Sequence, residues 1–387
     1  MWLIMAVDKK EKKAKKLESY ETETSEEIAR KLYGIAENVV HQIEHKHPPT
    51  FTTKVRGLNN VYFDEKNGYI QLGDKQVTRH FLNLGAARKF MQTMEINSKC
   101  YEYLQEGKTA SIREIYYELK KNIKGTNENI FDAQEESNDV IVDLEHSANT
   151  IREKLGLNAE PRGALYGDIT LRDLKHKNDE FNCSKLGRGG WSIMSRIEPE
   201  EVEIVDVNAD FLLVIETSAM YGRLIEEGYA KKNNAILIGT SGQAARGARR
   251  LIHRLHYEYD LPVIVFTDGD PYGWYIYSVI KSGSMALAAH SKYLSVPDAR
   301  YVGMTLTDVE EYGLQNVTEK MKEGDIKRAK ELMDYPWFKS KAWQNQLKIA
   351  IDKKIRIEQQ ALANKSLDFV AKKYLPEKIA NQKFVEE

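Results

Sequence analysis

Two cysteines, Cys100 and Cys183, in 387 residues are too few for a disulfide framework. They also lack the paired spacing of a thiolate metal site, so a reducing, cytoplasmic setting is expected. No apolar run reaches the roughly 18 residues that a membrane-spanning helix needs. The start, MWLIMAV, is briefly apolar, and its basic cluster DKKEKKAKK comes after the apolar part. A secretory signal has the opposite order. Neither sign of charge is in excess: 57 basic against 58 acidic residues leave a net charge of −1. That total neither suggests nor excludes a nucleic-acid partner. There is no G-x-x-x-x-G-K-[S/T] loop, so no nucleotide site of that kind is expected on this chain. What remains is 42% hydrophobic and 30% charged, a globular composition on a chain long enough for two or three domains.

The first stretch, residues 8–46, has apolar residues at helical spacing: Leu17, Ile28, Leu32, Ile35, Val39 and Ile43. It reads as an amphipathic helix, or two, behind a basic start, packed on its own domain or docked on a partner. His45 and His47 have no further ligand nearby and carry no metal reading. Residues 51–82 read as short strands joined by turns, and residues 80–160 as helices. One helix ends at Gly107. Ser111 then caps IREIYYELKKN, with Glu114 completing a capping box. Residues 137–155 read as a helix, a break near His146-Ser147-Ala148, and another helix. Helix, turn and helix beside a strand pair is the pattern of a winged-helix DNA-binding domain, and equally of a plain helical hairpin.

Arg113 and Tyr117 are four residues apart on the capped helix, so they share a face, whereas Tyr116 lies about 100° away and packs inward. A tyrosine hydroxyl titrates near 10 and is a poor nucleophile alone. An adjacent guanidinium can stabilise phenolate character or hold a phosphate. The same pattern is also ordinary aromatic packing.

Residues 161–205 read as a connector, with GRGGW (187–191) able to bring Arg188 and backbone amides near a phosphate. From 206 onward strand and helix alternate, the signature of a largely parallel sheet. DFLLVIE ends in Glu216. VIVF runs into Asp268-Gly269-Asp270-Pro271. In a parallel sheet the carboxyl ends of the strands lie on one edge, so Glu216, Asp268 and Asp270 can converge there and hold a hard cation such as Mg²⁺. Taken alone, DGDP is also a surface turn. The helix over 244–257 carries Arg246, Arg249, Arg250 and Arg254, and is read either as a phosphate-tracking face or as a solvated one.

The order of I-R-E-I-Y-Y and then Glu216 with D-G-D-P-Y-G resembles the A subunits of archaeal type IIB topoisomerases (topoisomerase VI). It is more distantly similar to the related meiotic recombination transesterase. GLNNVYFD, GRGGW, SGQAARGARR, DVEEYGL, IEQQAL and YLPEK extend the resemblance over about residues 50–380. Ala244 and Met194 stand where the family pattern leads one to expect proline. The resemblance implies an α/β plus α+β chain with a winged-helix (CAP-like) domain (51–160), the connector, and a Rossmann-like toprim domain (206–387); it says little about the N-terminal extension (1–50), whose amphipathic pattern makes it a candidate for docking a B subunit. It implies Tyr117 as nucleophile assisted by Arg113, Mg²⁺ on Glu216, Asp268 and Asp270, and reversible cleavage of double-stranded DNA. It further implies a homodimer, an ATP-binding B subunit completing an A2B2 assembly, and a nucleoid-associated place in an archaeal-type cell without a membrane partner. A toprim nuclease that hydrolyses nucleic acid, or a non-catalytic DNA-binding subunit, are the competing readings.

Overall fold

A computed structural model of the chain describes residues 23–385; the basic start expected before the first helix lies outside the described residues. Helix α1 (Ser25–Glu44) begins at a capping box. Thr24 Oγ1 accepts from Glu27 N at 3.2 Å, and Glu27 accepts from Thr24 N at 2.8 Å. Ile28, Ala29 and Leu32 bury its first half. Short strands follow in two antiparallel pairs, β1 (Thr50–Lys54) with β4 (Gln76–His80) and β2 (Val61–Asp64) with β3 (Tyr69–Leu72). Helix α2 (Leu84–Glu106) stops where Gly107 turns left-handed at φ 63°. Strand β5 (Ala110–Ser111) enters α3 (Ile112–Leu119) through the expected Ser111–Glu114 box, with bonds of 3.0 and 2.6 Å. After α4 (Gln134–Ser147), β6 (Leu157–Asn158) pairs in parallel with β5. Ile96, Cys100, Ile115, Phe131, Val140 and Leu144 form a core of their own for this half.

The second helix expected after residue 148 does not form; residues 152–156 make turns. The reason is local. The buried Glu145 side chain accepts from Arg152 N at 2.7 Å, and Glu145 O accepts from Thr150 N at 2.9 Å, which bends the chain away from a helical path.

Residues 161–205 are more than a link. Strand β7 (Ala164–Tyr166) with β10 (Trp191–Ser192) extends the main sheet. Strands β8 (Ile169–Asp173), β9 (Asp179–Asn182) and β11 (Val202–Val207) make a separate antiparallel sheet with β8 in the middle. The main sheet has β12 (Phe211–Ile215) flanked by β13 (Ala235–Gly239) and β14 (Val263–Phe266), with β15 (Arg300–Gly303) beyond β14; these four strands are parallel. Every residue of β13 and β14 is buried, as strands covered on both faces require. The covering helices are α5 (Ser218–Glu226), α6 (Tyr229–Lys232), α7 (Arg246–Tyr259), α8 (Pro271–Ser282), α9 (Ser291–Leu294) and α10 (Leu306–Glu311).

The chain closes with β16 (Glu319–Lys320), α11 (Glu323–Asp334), α12 (Lys341–Lys353), β17 (Ile355–Arg356) and α13 (Leu375–Ala380). Trp343 of α12 is fully buried, stacked 5.5 Å from Tyr277. The YLPEK segment docks on α10: Tyr374 OH and Lys378 Nζ each reach the buried Asp308 carboxylate at 2.6 Å. No helix among the described residues is long and apolar enough to cross a membrane.

The phosphate-tracking face expected on residues 244–257 is absent, and so is the solvated face. Arg246, Arg249, Arg250 and Arg254 of α7 are all buried. Arg246 meets Glu145 at 2.8 Å and Glu153 at 2.9 Å, joining the sheet half to the N-terminal half. Arg250 pairs with Glu198 at 2.9 Å. Arg254 pairs with Glu258 at 2.7 Å and also donates to the Ile197 and Val202 carbonyls. Arg249 Nε reaches Leu294 O at 3.4 Å. Their partners are up to 101 residues away in the chain, which a helical wheel does not reveal.

Candidate active site

The strand order of the sheet locates the site. With β12 between β13 and β14, the connections leave in opposite directions from the carboxyl ends of β12 and β14, the position at which open α/β sheets bind their ligands. In register, Ile215 lies beside Phe266. Glu216 leaves β12 and Asp268 leaves β14 at this same edge, and Glu216 Oε2 accepts from Asp268 N at 2.9 Å.

Each acid has one oxygen tied to backbone. Asp268 Oδ1 accepts from Gln359 N at 2.8 Å. Asp270 caps α8, its Oδ1 accepting from Tyr272 N at 2.9 Å and Gly273 N at 2.7 Å, with Pro271 in the first turn where no amide donor is needed. Glycine is required in this loop. A Cβ on Gly269 would stand 2.6 Å from Ile357 Cγ2, and one on Gly273 would stand 2.3 Å from Asp268 O.

The electrostatics fit a cation. Burial, then the Asp268 charge, pushes the Glu216 carboxyl up to about 8. Burial does the same to Asp268, up to about 6, against the Gln359 amide that favours its ionised form. Asp270 is raised too, by burial, while Gly273 N and Arg356 oppose the shift. Arg356 Nη1 is 3.7 Å from Asp270 Oδ2, and Glu358 adds a further negative charge beside Glu216 and Asp268. Carboxylates crowded at one edge repel each other, and a hard divalent ion would offset that repulsion. Among the described residues no three acidic, histidine or cysteine side chains form a ready-made cage. An open, partial set of carboxylates is what Mg²⁺ commonly uses, with water and substrate phosphate supplying the other ligands.

Arg113 and Tyr117 come together on α3, the Arg113 guanidinium carbon 5.9 Å from the Tyr117 ring centre. The capped start of α3 sets their spacing. Tyr117 is 58% exposed, whereas Tyr116 is 6% exposed and its hydroxyl donates to Asp132 O at 3.2 Å. Helix α3, which carries Arg113 and Tyr117, packs through Ile115, Tyr116 and Leu119 into the N-terminal core, whereas the strands that lead to the acids pack in the core of the sheet half. Arg188 is exposed in the Gly187–Gly190 turn, with Glu226 at 3.7 Å. Sequence reasoning gave no role to Arg356, Glu358 or Gln359. Glu358 and Gln359 lie in IEQQAL, one of the segments that carry the resemblance, but nothing there assigned them to the acids.

The family model for the Toprim domain of the topoisomerase 6 A subunit and Spo11 matches residues 211–379, and that for type IIB DNA topoisomerase matches residues 88–157. The chain is 50% identical over 386 residues to a Pyrococcus horikoshii protein named as the A subunit of type 2 DNA topoisomerase 6, covering 97% of this chain and 99% of that protein. A Pyrococcus abyssi protein of the same name matches equally. One from Sulfurisphaera tokodaii is 37% identical over 381 residues, covering 94% of this chain and 97% of that protein.

Proposed function

The chain belongs to the family of type IIB DNA topoisomerase A subunits, and on that premise we propose that it cuts and reseals double-stranded DNA through Tyr117. The observation that carries this reading is the contrast on α3. Tyr117 is exposed beside Arg113, while Tyr116 is buried and bonded to a backbone carbonyl.

Tyr117 gives its proton to solvent as its oxygen attacks a backbone phosphorus; the P–O3′ bond breaks and the departing O3′ takes a proton from solvent, leaving a 3′-hydroxyl and a 5′-phosphotyrosyl link. Arg113 holds a phosphate oxygen and favours the phenolate. The link keeps the phosphodiester bond energy, so the reverse attack reseals the strand without a separate energy source. Glu216, Asp268 and Asp270 would hold Mg²⁺. The bound ion would neutralise phosphate charge and stabilise the departing oxygen. Glu216 and Asp268 then stay ionised at neutral pH, because the cation offsets the burial that raises them.

The helix that carries Tyr117 and the strands that lead to the acids pack in separate cores, which supports a homodimer in which one copy's tyrosine works at the partner's acids. The N-terminal half, with its strand pairs and α2–α4, is read as a winged-helix DNA-binding domain, residues 161–205 as a connector with Arg188 facing DNA, and 206–387 as the toprim domain. Strand passage draws ATP from a B subunit in an A2B2 assembly, since this chain carries no P-loop. Residues 1–50 are read as its docking element; Tyr33, Val40 and Ile43 of α1 are 56%, 53% and 57% exposed and support this. The setting is cytoplasmic, on the nucleoid.

The test is Tyr117→Phe beside Tyr116→Phe, assayed with Mg²⁺ and a B subunit on denaturing gels. Tyr117→Phe abolishes protein-linked 5′ ends and Tyr116→Phe retains them. Cleavage that survives Tyr117→Phe moves the nucleophile elsewhere, and free ends with no protein attached turn the reading to a hydrolytic nuclease.

A further inference from the structure

The segment after β17 crosses the acidic edge of the sheet and is bonded to it on three sides. Gly269 N donates to Ile357 O at 2.7 Å, and Ile357 N donates back to Gly269 O at 3.2 Å. This two-bond bridge pins the glycine between the two aspartates. One residue after Glu358, Gln359 is fully buried and uses every polar part it has. Its backbone N holds Asp268 Oδ1 at 2.8 Å. Its Nε2 donates to Phe266 O at 2.9 Å, the last residue of β14. Its Oε1 accepts from Thr217 Oγ1 at 2.9 Å and, more weakly, from Thr217 N at 3.4 Å. Thr217 directly follows Glu216, and Phe266 O also accepts from Glu216 N at 3.1 Å. One side chain therefore ties together the ends of the two strands that present Glu216 and Asp268.

We propose that Gln359 is a positioning residue for the metal site: it sets the separation and aim of the Glu216 and Asp268 carboxylates without touching the ion or the DNA. This rests on the reading of those acids as metal ligands. The chemistry of the amide suits the task. Donor and acceptor are needed on one side chain, since Phe266 O can only accept and the Thr217 amide can only donate. A carboxylate at this position would add another negative charge to an edge that already has four, and would face Phe266 O with no proton to give. A neutral amide fastens both strand ends and leaves the net charge to be met by the ion. Partners that hold the ligands of a metal, though not the metal itself, commonly change its affinity when removed.

Gln359→Met keeps the length and apolar bulk of the side chain, and the backbone bond to Asp268, while deleting the three side-chain bonds. Thr217→Val removes one of them from the opposite side, and Thr217→Ser restores the hydroxyl. Mn²⁺ titration of the full chain, followed by electron paramagnetic resonance without DNA, reads affinity directly. Thermal melting in EDTA reads the fold separately. Gln359→Met weakens Mn²⁺ binding by about 10- to 100-fold and shifts the Mg²⁺ requirement for DNA cleavage in the same direction. Thr217→Val weakens binding less, Thr217→Ser binds like the unmodified chain, and the double variant Gln359→Met/Thr217→Val is no weaker than Gln359→Met. A Gln359→Met or Thr217→Val chain that melts lower yet binds Mn²⁺ with unchanged affinity overturns the proposal and leaves a merely structural amide. Asp268→Asn is the reference. If it abolishes Mn²⁺ binding while Gln359→Met does not, the inference fails and the metal reading stands; if Asp268→Asn leaves binding unchanged, the metal reading itself falls.

Discussion

Replacing Glu216 with glutamine alters how stability depends on pH, and the sign follows from the geometry of the sheet edge. In the folded, metal-free chain burial and the Asp268 charge move the Glu216 carboxyl from an ordinary 4.5 to about 8. The unfolded chain has no such environment. Between those two values the folded state keeps a proton that the unfolded state has released, so raising the pH favours unfolding. Stability is full below about pH 4.5 and is lost up to about pH 8, the opposite of a salt-bridged carboxylate. At roughly 1.4 kcal/mol per pH unit the whole shift amounts to about 5 kcal/mol. Glu216 is only partly exposed, but water reaches its edge, and some of the repulsion is shared with Asp268, so about 2–5 kcal/mol is expected. Glutamine mimics the protonated acid and does not titrate. The assay is urea unfolding of both chains in EDTA from pH 5 to 8.5. The unmodified chain loses stability relative to Glu216→Gln by that amount across the range, and Mg²⁺ narrows the gap by favouring the ionised acid. Parallel curves in EDTA refute the reasoning, since they mean that Glu216 is ionised without penalty.

Two other outcomes are expected. Arg246→Met takes the shared guanidinium from Glu145 and Glu153, whose side chains are 0% and 5% exposed, leaving Glu145 with His290 and the Arg152 amide and Glu153 with the Arg152 side chain, and lowers unfolding stability by up to about 3–5 kcal/mol; adding Glu145→Gln recovers part of the loss, whereas additive losses in the double variant would show that the pair is not coupled. Val40→Glu with Ile43→Glu, on the exposed side of α1, changes the chain's own melting little but weakens association with a B subunit more than about tenfold, roughly the 1.4 kcal/mol that one lost apolar contact carries; unchanged sedimentation of the mixture would move the docking surface elsewhere.

Much of this arrangement is legible in the residues. VIVF and FLLVI are apolar on both faces and β-branched, and strands of that kind belong inside a parallel sheet. Acids just past their ends have one edge to occupy. Ser111 and Glu114 mark the start of α3 by local bonding alone, and the helical spacing that follows puts Arg113 and Tyr117 on one side. Most of the features that could not be read depend on contacts distant in sequence. The arginines of α7 look like a cationic face until Glu145, Glu153 and Glu198 arrive from the N-terminal half and the connector. The turn at 152–156 replaces a helix because the buried Glu145 carboxylate captures a backbone amide. β7 joins the main sheet through residues whose composition marks only loops. Gln359 lies 91 residues beyond the carboxylate that it holds, and no periodicity links the two.

The Arg246 junction has a mechanical consequence. Swinging the N-terminal half away from the sheet would pull a guanidinium off two carboxylates before water could reach any of the three, so this seam resists hinging. If a broken duplex is to be parted wide enough for another to pass, each protomer then travels as a single block, carrying its tyrosine and its acids at a fixed offset. In the proposed homodimer the movement would fall to the boundary between copies, where one protomer's tyrosine would leave the other's acids as the gap widens. Closure would bring the same two surfaces back into register, making resealing a matter of docking rather than of refolding.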